Sequence, residues 1–428
     1  QDAMPTEDSP QAMIISLGGT PEPLVRSMAE HRPRFVTFLA SHGSVALLGR
    51  VLELLDQEGL PRPEHRVVLA EDVNDLVHCY ARALECSRYL EEREIQAEDV
   101  VVDYTGGTKT MTAAVVLATV GRGYRFSYVG GDSRTKGGLG IVETGSERVY
   151  PGVSPWQIFA VEEWQHLVLH VGQYQYEAAL TLVRETRRRQ PSSEQSLWEG
   201  LENALEGLLY WDRFNHREAL PRFKAGLQAL SRWMEIRPQD QTNKAVSGFV
   251  EQGGLCLEFL VALAQDTDNF RRAGPLLVKD LIANAGRRAS QGRYDDAMSR
   301  LYRALEMLGQ IAFREATGAS TSNIPPEKLP PGLREEYVQR YQDPKDGKIK
   351  VPLEAVFQVL QELDHPVGRR FFERYDDFRR IMLARNQSIL AHGIQPIDGP
   401  LFTSLRELLC QTFDIQEEVT FPQLRSPF

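Results

Sequence analysis

Short apolar runs alternate with amphipathic segments through the first 150 residues of the chain. The runs are rich in Val, Ile, Leu and Phe and predict five buried strands, at 12–17, 34–40, 67–70, 100–104 and 124–129. Segments with helical periodicity lie between them, at 45–55, 74–94 and 111–120. Strands that alternate with helices predict a parallel sheet covered on both faces, and therefore an α/β domain.

The boundaries of these elements carry local signals. Ser44 is expected to cap the helix at 45–55, and the stretch 18–21 (Gly-Gly-Thr-Pro) ends the first strand. Glycines at 137, 138 and 145 indicate turns. These turns predict an antiparallel hairpin that finishes the domain.

Helical periodicity continues from Trp156 to about Gly274, with breaks expected at 191–193, at Pro238 and at 253–254. Three segments of the helical part resemble one another, because each has a glycine or aromatic turn shortly before an alanine: 172–179, 213–219 and 292–297. This pattern is typical of the joint in an antiparallel helix pair, although the irregular spacing argues against a regular solenoid. The aromatic residues of this segment are interpreted as core.

The C-terminal part begins with one strong helical block or two at 279–315, with an interruption near Gly292. Proline-rich and polar stretches at 325–350 predict loops over a site. Helices resume from Pro352, and Ile389 and Leu390 extend the helical pattern to His392, where Gly393 and Pro396 end it. On such a helix Arg385 and His392 lie roughly 20° apart on one face, about 10 Å along the axis.

With 428 residues, 42% of them apolar and 25% charged, the chain is expected to be globular and to have two or three domains. We place them at 1–150, 151–275 and 276–428. The apolar run 113–120 is too short to cross a bilayer, and residues 1–10 lack the features of a signal peptide. We therefore expect a cytoplasmic protein with no membrane partner.

The four cysteines, at positions 79, 86, 256 and 410, contain no C-x-x-C pair and lie in apolar helical contexts. They are interpreted as packing residues, and neither a zinc site nor a disulfide framework is expected. No acidic cluster accompanies the segment 385–392 in the sequence, so no catalytic metal is expected there.

The net charge of −10 argues against general nucleic-acid binding, but the charges are unevenly distributed. Residues 1–269 hold 26 Lys and Arg against 38 Asp and Glu, whereas residues 270–428 hold 23 against 21. Six arginines accumulate before His392, at 369, 370, 374, 379, 380 and 385. A run of charge is usually a solvated face, but here it leads into a candidate phosphate-binding site.

Two loops follow predicted strands at the edge where ligands bind in such sheets: 18–20 and 105–110. The second (Thr-Gly-Gly-Thr-Lys-Thr) combines glycines with hydroxyls and a lysine before a helix N-terminus, a setting that favours phosphate. It matches neither the Walker loop nor G-x-G-x-x-G, which argues against an ATPase or a dinucleotide oxidoreductase. Either the loop binds a phosphate or a nucleotide, or its glycines serve only a tight turn.

The segment 385–392 carries a permanent cation, Arg385, and a titratable imidazole, His392. The guanidinium could hold the oxygens of a phosphodiester while the imidazole moves a proton. A helix end with a cation near its C-terminal dipole would show the same pair without any catalytic role.

Residues 103–111 (Asp-Tyr-Thr-Gly-Gly-Thr-Lys-Thr-Met), together with 17–20 (Leu-Gly-Gly-Thr), resemble the CARF domain of CRISPR-associated proteins. The resemblance implies a Rossmann-like sensor that dimerises and binds cyclic oligoadenylate across its two-fold axis. It implies that the ligand is lined by Gly18, Gly19, Thr20, Thr105, Gly106, Gly107, Thr108 and Lys109, with Ser41 as a further neighbour.

The C-terminal part is similar to the HEPN domain, a helical ribonuclease fold. Its signature is an arginine, usually followed by a polar residue, and a histidine after four to six intervening residues. Arg385, Asn386 and His392 match it at the longest spacing. The chain is therefore identified as a member of the type III CRISPR-associated CARF-HEPN ribonuclease family. It is expected to consist of a Rossmann-like CARF domain, an all-α middle segment and an all-α HEPN domain.

The resemblance implies a homodimer that cuts single-stranded RNA without a metal or cofactor, leaving 2′,3′-cyclic phosphate and 5′-hydroxyl ends. Cyclic oligoadenylate would be the activator, either the tetra- or the hexa-adenylate, and no DNA partner is expected. Catalysis would fall to Arg385, Asn386 and His392 of both copies. Two alternatives stay open: an inactive C-terminal module for dimerisation or RNA binding, and a CARF pocket that itself cleaves the activator.

Overall fold

The computed structural model describes residues 10–131, 147–151, 156–189, 195–388, 393–416 and 419–427. The chain divides into two compact units. The first comprises residues 1–165 and 184–195, and the second comprises residues 166–183 and 196–428. The first unit contains the sheet, and the second is helical.

The sheet has six strands in the order β3-β2-β1-β4-β5-β6. The first five are parallel, and β6 pairs antiparallel with β5. The predicted α/β fold followed by helices is confirmed, as is the antiparallel pairing at its end, although Gly137, Gly138 and Gly145 lie outside the described residues. The strands are β1 (Ala12–Ser16), β2 (Phe35–Ala40), β3 (Glu64–Leu69), β4 (Val100–Asp103), β5 (Arg125–Gly131) and β6 (Glu147–Pro151).

Helices cover both faces of this sheet. Residues alternate between the faces along β1: Met13 and Ile15 contribute to one core, and Ala12 and Ile14 to the other. The first core contains residues of α1 and α2, and the second contains residues of α3 and α4. Their bounds are α1 (Glu22–His31), α2 (His42–Gln57), α3 (Leu76–Glu91) and α4 (Lys109–Thr119).

Two features of this unit differ from the sequence prediction. Helix α1 was not expected, because the stretch 18–21 indicates only a break. Helix α2 starts at His42 and is capped by Ser41, so the prediction of Ser44 as the cap was wrong. Ser44 is instead the third helical residue of a capping box, in which its Oγ accepts the Ser41 N–H (2.8 Å) and the Ser41 Oγ accepts the Ser44 N–H (3.0 Å).

The remaining helices form the helical part of the chain. The three joints that resemble one another each turn through a residue of positive φ: Tyr174 (56°), Phe214 (59°) and Gly292 (72°). The alanine that follows each turn is fully buried, as expected for an antiparallel joint. The helices are α5 (Trp156–Gly172), α6 (Tyr176–Arg188), α7 (Gln195–Asp212), α8 (His216–Ile236), α9 (Gln241–Asp266), α10 (Pro275–Ser290), α11 (Tyr294–Thr317), α12 (Pro331–Tyr341), α13 (Leu353–Glu362), α14 (Pro366–Glu373), α15 (Tyr375–Asn386) and α16 (Gly399–Phe413).

The predicted breaks had different outcomes. The break at Pro238 is confirmed, since it lies between α8 and α9, whereas the segment 191–193 lies outside the described residues. The break at 253–254 was wrong, because both glycines lie inside α9. A Cβ on Gly253 would lie 2.6 Å from Leu227 Cδ2, so this glycine lets α9 approach α8 closely.

The expectation of loops at 325–350 was also wrong in part. Helix α12 occupies the centre of this stretch, and a short 3₁₀ turn, Pro326–Lys328, precedes it. Proline is compatible with the first turn of a helix, where its missing N–H leaves no bond unmade. Tyr337 of α12 is buried and donates its hydroxyl to the Ala355 carbonyl (3.0 Å).

The aromatic residues of the middle segment form core, as predicted: Trp211, Phe223, Trp233 and Phe249 are at most 2% exposed. Three cysteines are buried and Cys410 is half-buried, which confirms them as packing residues. Burial raises the pKa of Cys86 and of Cys256 to about 12. Both side chains are therefore neutral thiols near pH 7.

Helix α9 is long and apolar enough to cross a membrane by length and composition, a criterion that a core helix also meets. Val246, Phe249, Leu260 and Leu263 of α9 are buried within the helical unit.

Candidate functional site

The loops after β1 and β4 lie side by side, because these strands are paired with Ile15 opposite Asp103. We call residues 17–20 and 104–109 the ligand loops. Their backbones touch: a Cβ on Gly106 would lie 2.5 Å from the Ser16 carbonyl oxygen and 2.8 Å from the Gly18 nitrogen. A Cβ on Gly18 would lie 2.8 Å from the Gly107 nitrogen. Glycine is therefore required here for the packing of the two loops.

Hydroxyl groups also hold the second ligand loop in place. The Thr105 Oγ1 accepts the Val129 N–H (2.8 Å). The Thr108 hydroxyl donates to the Val73 carbonyl (3.1 Å), and its oxygen caps α4 by accepting the Met111 N–H (3.2 Å). Both hydroxyls therefore help to hold the loop, and the assignment of Thr105 and Thr108 to the ligand site stays a prediction.

Four residues of the ligand loops are exposed: Gly19, Thr20, Thr108 and Lys109. Ser41 follows β2, the other neighbour of β1, so all the residues predicted to line a ligand lie at the carboxyl edge of three adjacent strands. Lys109 is the first residue of α4, where the helix dipole and a side-chain cation both favour an anion.

Asp103 is a buried residue of this site. It belongs to the sequence motif 103–111, but no role was predicted for it. It ends β4 and is fully buried. Its Oδ2 accepts the Ser27 hydroxyl (2.5 Å) and its Oδ1 accepts the Thr105 N–H (2.9 Å). Burial raises the pKa of this carboxyl, although these hydrogen bonds oppose the shift. Asp103 thus fixes the start of the second ligand loop.

The second candidate site lies at the end of α15. The helix ends at Asn386, so the prediction of one continuous helix from Arg385 to His392 was wrong. In a helix that continued past Asn386, the Gln387 carbonyl would accept the backbone N–H four residues later. Here that oxygen accepts the Gln395 N–H instead (3.1 Å). The Ser388 carbonyl similarly accepts the Gly393 N–H (3.0 Å). His392 itself lies outside the described residues.

Arg385 is half-buried on the last turn of α15. Its guanidinium carbon lies 4.4 Å from the centre of the Tyr302 ring of α11. Its Nη1 donates to the Asn386 Oδ1 (3.2 Å). Burial raises the pKa of Tyr302 although the charge of Arg385 lowers it, so the ring stays neutral near pH 7. No pattern in the sequence indicated Tyr302, because α11 and α15 are far apart along the chain.

The arginines that precede this site are exposed, and three of them are paired with carboxylates. Arg369 pairs with Asp364 (2.7 Å), and Arg374 and Arg380 both pair with Asp377 (3.0 Å each). Such exposed pairs stabilise a fold only slightly. Arg385 differs from them, because an aromatic ring rather than a carboxylate holds its guanidinium. Among the residues that the structure describes, no group of three or more His, Cys, Asp or Glu is arranged to hold a metal ion.

Two family models match the chain and together cover more than half of it. The model of the Csm6 HEPN domain matches residues 266–416, which include α15 and the segment 385–392. The model of the Csm6 6H domain matches residues 159–250. The chain belongs to the Csm6 family. It is therefore a type III CRISPR CARF-HEPN protein, and the family assignment made from the two motifs is confirmed.

The fold of this Csm6-family chain is similar to that of Enterococcus italicus Csm6 bound to cyclic hexa-2′-fluoro-hexa-dAMP. The identity is 12%, the TM-score is 0.53, and 96% of this chain and 95% of that chain are covered. Can2 from Sulfobacillus thermosulfidooxidans in complex with cyclic tetra-adenylate matches 54% of this chain and 68% of its own, at 14% identity and a TM-score of 0.24. Protein VC1899 from Vibrio cholerae matches 60% of this chain and 70% of its own, at 10% identity and a TM-score of 0.25. No curated protein matches the chain.

Proposed function

We propose that this protein is a metal-independent endoribonuclease of type III CRISPR defence, which cuts single-stranded RNA when cyclic oligoadenylate binds its N-terminal domain. The observation that carries the proposal is the placement of Arg385 and Asn386 at the end of α15, inside the match to the Csm6 HEPN domain. In this proposal the protein acts in the cytoplasm and has neither a cofactor nor a DNA partner.

The proposed chemistry uses the RNA as its own nucleophile. The 2′-hydroxyl attacks the adjacent phosphorus, the bond to the 5′-oxygen breaks, and the products are a 2′,3′-cyclic phosphate and a 5′-hydroxyl. Arg385 stabilises the charge of the pentacoordinate phosphate, and His392 transfers a proton or orients the phosphate. Asn386, which accepts a hydrogen bond from Arg385, orients the guanidinium. The ring of Tyr302 limits the positions open to that guanidinium, which favours preorganisation.

The active species is proposed to be a homodimer in which two copies of the 385–392 segment form one composite site. Two exposed apolar residues lie close to this segment in the sequence, Leu383 (54% exposed) and Ile394 (80%). Further exposed apolar residues occur on α3 and α4 of the sheet domain: Leu76, Val77, Tyr80 and Leu117. Large exposed apolar side chains on neighbouring helices favour an interaction surface. They support a partner copy at both domains.

The activator is proposed to bind at the ligand loops of the dimer. Lys109 and the N-terminus of α4 favour its phosphates, and exposed Gly19 leaves room beside them, since a Cβ there would have nothing within 4 Å. A similar fold, that of Enterococcus italicus Csm6, holds a cyclic hexanucleotide analogue. Binding would shift the population of dimers toward those with productively paired catalytic segments.

The test incubates the full-length protein with labelled single-stranded RNA in EDTA, without activator and with cyclic tetra- or hexa-adenylate. We expect RNA cleavage in the presence of one of the two cyclic oligoadenylates and no cleavage without activator. The RNA products should end in a 2′,3′-cyclic phosphate. Arg385→Ala and His392→Ala should abolish cleavage and leave activator binding unchanged. Arg380→Ala, an exposed arginine on the same helix, is the matched control and should cut normally.

Three results would contradict parts of the proposal. Cleavage retained by both Arg385→Ala and His392→Ala would remove the catalytic assignment. Activator binding without cleavage under all conditions would favour the alternative of an inactive dimerisation or RNA-binding module. Mass spectrometry of the activator after incubation with Arg385→Ala tests the remaining alternative, since linear products would mean that the ligand loops cleave the ring.

A further inference from the structure

The three helix joints that resemble one another in sequence meet at one cavity of the helical unit. Tyr174, Phe214 and Arg293 line this cavity, and each belongs to a different joint. Its volume is about 600 Å³, within the range of small-molecule sites. The first two joints lie in the match to the 6H domain and the third in the match to the HEPN domain. The cavity is therefore at the junction of these two matched regions.

Four arginines line the cavity, which we call the arginine cavity: Arg213, Arg288, Arg293 and Arg300. In the part of the chain that the structure describes, these four arginines and buried Arg287 pair with three carboxylates, which leaves an excess of two positive charges. The ion pairs join Arg213 to Glu177, Arg287 and Arg288 to Asp212, and Arg293 and Arg300 to Asp296. A dianion such as a phosphate ester would balance this excess.

Two residues that line the arginine cavity each carry a buried polar atom that has no hydrogen-bond partner among the described residues. Arg288 is 8% exposed, and its Nε–H is unpaired although another nitrogen of its guanidinium binds Asp212. Tyr176 is 1% exposed, and its hydroxyl is unpaired. Leaving a buried donor without a partner is costly, and most such groups in native proteins are satisfied. Both atoms lie beneath the cavity surface, so a ligand that supplies acceptor oxygens would satisfy them after a small shift of the adjoining side chains.

The electrostatic environment of the cavity also favours an anion. Burial lowers the pKa of Arg300, and the charges of Arg288 and Arg293 lower it further, against the opposing effect of Asp296 and Asp212. Helix α6 begins with Tyr176 at the cavity, and Arg293 is the N-cap residue of α11. The positive ends of two helix dipoles therefore add to the charge of the arginines.

We propose that the arginine cavity binds a phosphate ester that carries a nucleobase. The phosphate oxygens accept hydrogen bonds from Arg288 and from the guanidinium groups at the rim, Arg213 and Arg293. The base packs against the half-buried rings of Tyr174 and Phe214, since aromatic side chains provide stacking surfaces for bases of any sequence. The ligand is either a free mononucleotide or one residue of an RNA strand. This site is separate from the ligand loops and from the 385–392 segment.

The test measures binding to the full-length protein by calorimetry at constant ionic strength. The probes are inorganic phosphate, 5′-AMP, adenosine and a short 2′-O-methyl RNA, which resists cleavage through its 2′-hydroxyl. We expect 5′-AMP to bind more tightly than phosphate, and adenosine to bind least. Tighter binding of the 2′-O-methyl RNA than of 5′-AMP would identify a strand as the ligand, and the reverse order would identify a mononucleotide.

Two variants assign the binding to the arginine cavity. The double variant Arg213→Gln, Arg293→Gln changes exposed side chains only, and Arg288→Lys keeps a cation beside Asp212 while it removes the Nε–H. Each should weaken 5′-AMP binding at least about tenfold, because a charge-assisted hydrogen bond contributes a factor of this order. Arg340→Gln, an exposed arginine of α12 outside the cavity, is the control and should bind normally.

Two results would overturn the proposal. One is the absence of saturable binding of 5′-AMP and of the 2′-O-methyl RNA by the unmodified protein. The other is 5′-AMP affinity in the double variant equal to that of Arg340→Gln, because the nucleotide would then bind elsewhere. If Arg288→Lys does not fold, the double variant alone decides, since both of its side chains are more than half exposed.

Discussion

Replacing Tyr302 by leucine removes the aromatic ring beneath the Arg385 guanidinium and keeps an apolar side chain on α11. The guanidinium carbon lies 4.4 Å from the ring centre, and both side chains are half-buried. A cation–π contact of this kind contributes about 1–2 kcal/mol, between the values for exposed and for desolvated pairs. If the ring orients Arg385 for the phosphate, this energy is lost from the transition state, and the rate falls roughly five- to thirtyfold.

The matched control is Tyr302→Phe, which keeps the ring and removes only the hydroxyl. It should cut RNA at a rate within about twofold of the unmodified protein, since the face of the ring supplies the cation–π attraction. The assay is single-turnover cleavage of labelled RNA in EDTA with saturating activator, followed over a range of protein concentrations. An effect on the maximal rate rather than on RNA binding separates orientation of Arg385 from a loss of affinity.

Two outcomes would refute this reasoning. Tyr302→Leu with unchanged activity would mean that the ring does not position the guanidinium in the active dimer. An equal loss in Tyr302→Phe would assign the effect to the hydroxyl instead. Thermal unfolding of both variants is measured in parallel, so that a loss of activity through unfolding is recognised.

Two further predictions concern the ligand loops. Gly106→Ala should lower the stability of the sheet domain by more than about 2 kcal/mol, through a clash with neighbouring backbone, and abolish activator binding. Gly19→Ala, with open space around it, should leave the stability unchanged, and equal denaturation midpoints for the two variants would contradict the packing of the loops. The second prediction follows from the raised pKa of Asp103. Because the folded protein holds this proton more tightly than the unfolded chain does, stability should fall as the pH rises from about 4, the unfolded value, through the raised folded pKa. Asp103→Asn removes this loss of stability. Urea midpoints measured from pH 4 to pH 8 should therefore show the variant gaining stability relative to the unmodified protein as the pH rises. A difference in midpoint between the two proteins that stays constant over this range would argue that Asp103 is ionised throughout.

Several features of this protein were determined by local sequence. The uninterrupted apolar runs at 12–17 and 100–104 predicted buried strands in a sheet covered on both faces, and β1 does contribute residues to a core on each face. The two motifs that carry the family resemblance are each contiguous. The three helix joints were also visible, because a turn residue followed by a buried alanine depends on only a few neighbouring positions.

Features that depend on distant residues were decided only by the tertiary structure. Gly253 reads as a helix break until Leu227 of α8 is seen to pack against it. The end of α15 at Asn386 is accompanied by hydrogen bonds from the Gly393 and Gln395 N–H groups to the Ser388 and Gln387 carbonyls, in place of helical ones. The contact of the Tyr302 ring with Arg385 brings together segments that are far apart along the chain. The same is true of the three helix joints that line the arginine cavity. Side-chain periodicity reports only which face of an element is buried, whereas the partner on that face is set by how the helices pack.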